Sequence, residues 1–196
     1  MSTPLVPVHP EATDAPETLR WVFPIGTLGF VGEPARVPAP LQDLYATGVL
    51  AGPVVVEPAA VLLRIGTGRS WRTDGPQVRR TLQAALADPD GWSAPAGASD
   101  DDLLRAAAEE VLAGEVGDFV RGHGGVIEVL GVADDEVTIS LGGACAGCPA
   151  SGLTVQSRFE TALRRSYPRL RGVVAHEIRS DRPSRLGTLL QIRRRS

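Results

Sequence analysis

Apolar and polar positions alternate through Thr18-Leu19-Arg20-Trp21, continue into Val22-Phe23 and stop at Pro24, which predicts a strand. Gly26 to Val31 is a candidate second strand, and Leu41 to Ala46 reads as a short helix or turn. Val54-Val55-Val56, Glu57-Pro58-Ala59 and Ala60 to Ile65 form an apolar–turn–apolar pattern that predicts a hairpin. Val78, Leu82, Ala85 and Leu86 recur at helical spacing, so a helix is predicted with Pro76 in its first turn and its end near Ala87. After a Pro/Gly/Asp-rich stretch, Leu104, Ala108, Val111, Leu112, Val116 and Phe119 mark one long helix. Ser99 or Asp100 caps it, and Asp101 and Asp102 lie at the positive end of its dipole. Gly122-His123-Gly124-Gly125 stops it. Val126 to Leu130, the turn Ala133-Asp134-Asp135 and the alternating Glu136 to Leu141 make a second hairpin. Ser151 to about Tyr167 is a helix with Val155, Phe159, Ala162, Leu163 and Tyr167 on its buried stripe, Ser151 being its expected N-cap, and Gly172 to Glu177 is a last strand.

These elements predict an α/β (α+β) chain of two small domains. Residues 1–15 are Pro-rich, without pattern, and expected to be disordered; 16–87 form the first domain and 88–100 a linker. Residues 101–178 form an α-β-β-α-β domain with one sheet covered by two helices, and 179–196 are a basic tail. Trp21 and Trp71 are expected in the first core, with Trp92 exposed on the linker or docked.

Charge narrows the function. Seven arginines against nine acids leave residues 1–98 at net −2, and seven against thirteen leave 99–178 at −6. Six arginines and Asp181 give residues 179–196 a net +5. An acidic body with few aromatics disfavours a nucleic-acid partner. The tail reads first as a solvated terminus. All 20 basic residues are arginine, which excludes Schiff-base and P-loop lysine chemistry. No serine stands in a nucleophile elbow, Ser140 being a polar position inside a strand, so the hydrolase reading fails. The first residues lack a basic start and an apolar run. Val49 to Ile65 is broken by Pro53, Glu57 and Pro58, so no membrane span and a cytoplasmic location are expected.

The chemistry rests on two cysteines, both in Cys145-Ala146-Gly147-Cys148, between a strand that ends in Gly142-Gly143 and a helix that starts after Pro149. A loop feeding a helix N-terminus directs N–H groups and positive dipole toward the sulfurs. Glycines there admit close N–H···S approach. Three readings fit the pair: a thiol–disulfide redox couple, a zinc-binding interaction module drawing further ligands from His123 and His176, or half of an iron–sulfur site completed by a second chain. For the histidines the plain alternatives are a helix C-terminal role for His123, a packing or surface place for His176, and a tail position for His9.

At these residues the chain resembles a known family. Gly143-Ala144-Cys145-Ala146-Gly147-Cys148-Pro149-Ala150-Ser151 is similar to the Gly-x-Cys-x-x-Cys-Pro-x-Ser signature of the NifU C-terminal (Nfu) domain. Gly124-Gly125 before the first strand, the element order, and Pro168-Arg-Leu-Arg-Gly-Val173 after the second helix agree with it across about residues 101–178. Departures are His123 for a common Asp, Val126 for a common acid and Gln156 for a common Lys. More loosely, residues 16–87 resemble the Nfu N-terminal domain from Thr18-Leu19-Arg20-Trp21 onward. The resemblance implies an iron–sulfur cluster carrier, not an enzyme. Cys145 and Cys148 of two protomers would bind a bridging [4Fe-4S] cluster, or alternatively [2Fe-2S], in a homodimer. The cluster would come from donors and pass to apo iron–sulfur client proteins, and the cysteine-free first half would dock clients or partners.

Overall fold

The computed structural model describes residues 6–145 and 149–177, with the backbone alone for Pro149, Ala150, Ser151 and Glu177. Cys148 and the tail 179–196 lie outside the described residues. The chain is α+β, with two separate sheets and two separate hydrophobic cores.

The first sheet has the antiparallel order β1-β2-β4-β3, from β1 (His9–Ala12), β2 (Thr18–Val22), β3 (Leu50–Glu57) and β4 (Ala60–Ile65). Helices α1 (Ala39–Ala46) and α2 (Trp71–Leu86) complete this unit. Trp21, Leu63, Leu41, Val78, Leu82 and Leu86 form the centre of its core. The β3–β4 hairpin and the buried face of α2 lie where the pattern predicts them.

Three features differ from the sequence reading, and a fourth, the place of Trp92, is decided between the two left open. Residues 9–12 are not disordered; they pair with Leu19 to Val22 as an edge strand. Every β1 residue is exposed, so no apolar alternation announces it. Its anchors lie beside it: Val8 is buried, Gln83 Nε2 donates to the Val6 carbonyl, and Thr13 Oγ1 donates to the Thr18 carbonyl across the turn. Gly26 to Val31 is not a strand. Gly26 takes φ +79°, Thr27 N–H closes a turn on the Pro24 carbonyl, and Leu28 and Phe30 reach the core from irregular chain. Helix α2 starts five residues before Pro76. Ser70 caps it by accepting from the Thr73 N–H, and Asp74 accepts from the Ser70 N–H. Trp92 is docked, donating to the Ala85 carbonyl at 2.9 Å inside the first core.

The second unit runs α3 (Asp100–Ala113), α4 (Glu115–Gly122), β5 (Gly125–Ala133), β6 (Glu136–Gly143), α5 (Pro149–Ser166) and β7 (Gly172–Glu177). The single helix expected before β5 is two, because Gly114 at φ −95°, ψ −151° ends α3 and caps α4. Gly117 then lies so close to the Leu112 carbonyl that a Cβ there would overlap it. The two glycines let α4 fold back and carry Val120 into the core. A capping box starts α3, in which Ser99 accepts from the Asp102 N–H and Asp102 from the Ser99 N–H. Helix α5 begins at Pro149, a residue already set for the first helical position, so Ser151 lies inside the helix instead of capping it.

The second sheet has the order β5-β6-β7, with β5 antiparallel and β7 parallel to β6. The alternation read in β6 is real: Val137, Ile139 and Leu141 are buried against Leu104, Phe159 and Leu163. Arg20 joins the two units. Its Nε donates to Glu57, Nη1 to Glu11 and Nη2 to Glu110 on α3.

Candidate iron–sulfur site

Two glycine pairs face one another where β5 begins and β6 ends. Gly125 is the register partner of Gly143, and Val126 that of Gly142. Gly124 and Gly143 have φ of +69° and +61°, a region that side chains disfavour. A Cβ on Gly143 would run into the Gly124 carbonyl. That carbonyl accepts from the Ala144 N–H at 3.0 Å, and the Gly142 carbonyl accepts from the Cys145 N–H at 3.2 Å. The turn that results drops Cys145 below the strand end.

Its thiol fills the space a side chain would need at Gly125. A Cβ on Gly125 would overlap Cys145 Sγ and press on Val120. Cys145 is 4 % exposed and belongs to the second core, with Val120 and Val155. The glycines are therefore what admits a sulfur here. Cys148, the other half of the pair, lies outside the described residues, and α5 begins at the residue after it.

The remaining candidates are placed plainly. His123 caps the end of α4, exposed, with its ring 4.4 Å from that of Phe119. Its Nδ1 lies 2.8 Å from the Phe119 carbonyl, which only accepts, so Nδ1 carries a hydrogen and donates it. His176 is exposed on β7, register partner of Ser140. Among the described residues, which leave out Cys148, no three metal-binding side chains converge. Gln156 has a structural role, its Nε2 donating to the Val173 carbonyl and tying α5 to β7. Arg158 lies over the Phe119 ring at 4.2 Å, a cation–π contact that ties α5 to α4. The sequence singled out the glycines around the thiols, but not that Gly125 is the seat of Cys145.

A network at the far end of the sheet keeps this unit closed. Tyr167 donates to Asp135 Oδ1 at 2.6 Å, and Arg169 donates to the Tyr167 hydroxyl and pairs with Asp100. Burial, then the bond to Asp135, pushes the Tyr167 phenol up to about 12. The hydrogen bond from Arg169 holds the Asp100 carboxyl below its usual range. Among the described residues no helix is long and apolar enough to cross a membrane.

Known proteins resemble this part of the chain. The NifU-like domain family matches residues 108–174. Fe/S biogenesis protein NfuA of Photorhabdus laumondii is 34% identical over 76 residues, which are 38% of this chain and 40% of that protein. The NfuA proteins of Klebsiella pneumoniae strain 342 and Serratia proteamaculans are each 33% identical, over 76 and 66 residues. The second of these alignments covers 33% of this chain and 35% of that protein. The chain thus spans about 40% of the length of the curated relatives it matches.

Proposed function

Residues 108–174 match the NifU-like domain family, and from that likeness we propose that this chain is an iron–sulfur cluster carrier and not an enzyme. The observation that carries the reading is the seat of Cys145: a thiol held by paired glycines at a strand end, just before a helix, inside the matched residues. Cys145 and Cys148 are the ligands. Two thiolates per chain are half of what a cubane cluster needs, so two protomers hold one [4Fe-4S] cluster between them as cargo. Release proceeds by ligand exchange, a client thiolate taking the place of one cysteine at a time. The partners on this reading are cluster donors, apo iron–sulfur proteins and a second copy of the chain, in the cytoplasm. Residues 16–87 act as an Nfu N-terminal-like docking unit.

A transfer experiment tests the carrier role. Protein loaded with iron and sulfide without oxygen is mixed with an apo-enzyme that needs a [4Fe-4S] cluster. Activity is expected to return faster than with free iron and sulfide, and a chelator too large to enter the complex is not expected to stop it. Return no faster than from the free ions, or zinc in place of iron in protein purified without air, contradicts the proposal.

A further inference from the structure

Arg79, Arg80, Trp71 and Trp21 meet where α2 leaves the edge of the first sheet uncovered. With Pro10 and Leu19 they line a groove of about 470 Å³ between α2 and the β1–β2 ribbon. The chain has three tryptophans, and two satisfy their indole N–H within the fold. Trp71 Nε1 donates to the Glu17 carbonyl and Trp92 Nε1 to the Ala85 carbonyl. Trp21 is 2 % exposed, and among the described residues its Nε1 has no hydrogen-bond partner. A buried donor without an acceptor costs about 1–3 kcal/mol. Here that donor belongs to a residue of the groove wall.

The charges at the groove have one sign. Arg79 and Arg80 are exposed on its rim, and among the described residues no carboxylate lines it and neither arginine has an ion pair. This is a positive spot on a body whose formal net charge is −3. Beside it, β1 is the outer strand of its sheet and gives the groove Pro10.

We propose that this groove is a docking site for an extended acidic peptide segment of a partner protein. A carboxylate of the segment meets Arg79 and Arg80, and an apolar side chain lies against Trp71 and Leu19, whose neighbour Trp21 feels the change through its ring contact with Trp71. The chain's own residues 179–196, with six arginines and one acid, have the wrong sign to fill it. The inference does not rest on the cluster reading and holds or fails without the cysteines.

A random twelve-residue peptide library displayed on phage is selected against the full chain carrying Cys145→Ser and Cys148→Ser, and the winning peptide is synthesised. Winning sequences are expected to place Asp or Glu beside Leu, Phe or Trp. Binding is expected to weaken about tenfold or more in Arg79→Glu/Arg80→Glu. The Trp21 indole N–H signal should move on binding while that of Trp92 stays. Winners without acidic residues, affinity unchanged by the double charge reversal, or a Trp21 signal that does not move each overturn the proposal. So does a selection that yields nothing while anionic vesicles bind through the same arginines.

Discussion

Gly125 lacks a side chain in the place where Cys145 holds its sulfur. Gly125→Ala is therefore expected to unseat the thiol and strain Val120, costing about 1–3 kcal/mol as overpacked cores do. In a Cys148→Ser background, the Cys145 thiol should react slowly with a disulfide reagent. The alanine should speed that reaction several-fold while circular dichroism stays native. An unchanged rate together with an unchanged melting temperature would show that the seat is not as described. The cysteines and the glycines were legible in the sequence as a loop suited to sulfur. Their contact was not, because Gly125 and Cys145 meet only through the β5–β6 register, which places Gly125 opposite Gly143.

Elements were legible wherever one face was buried. The alternation of β6 and the stripes of α2 and α5 each have a core behind them. The pattern failed where burial did not write it. Strand β1 shows only exposed side chains, and the break at Gly114 is hidden because apolar spacing carries on from Leu112 to Val116. Backbone conformation is likewise silent in hydropathy. Asp134 and Asp135 take φ of 53° and 60°, making the β5–β6 turn of the kind in which both central residues are left-handed. Asp135 accepts from Tyr167, which leaves Asp134 as the residue to relieve. Asp134→Gly is expected to stabilise the protein by roughly 0.5–1 kcal/mol, read from chemical denaturation midpoints at constant slope. A loss of stability would mean that the aspartate does more in that turn than occupy it.

At the scale of the whole chain, both tyrosines report on burial, one in each unit. Burial pushes the Tyr45 phenol up to about 12, against the pull of Arg64, and burial with Asp135 does the same for Tyr167. A folded state that raises a phenol's pKa favours the protonated form. The associated stability is complete below the unfolded value near 10 and is lost as pH climbs through about 12. Absorbance of phenolate in the native protein should therefore rise about two pH units later than in denaturant. Equal midpoints would remove both environments. Two cores on one chain also divide the work in the proposed account, with cluster chemistry on the second sheet and recognition on the first.

The shared cluster is tested most directly by reconstituting the protein with iron and sulfide without oxygen, then measuring iron, acid-labile sulfide and native mass on one sample. The account predicts one cluster per two chains and a cluster-bearing dimer. Cys145→Ala and Cys148→Ala should each abolish both. A full cluster on a single chain, or a normal cluster kept after both cysteines are replaced by alanine, would contradict it.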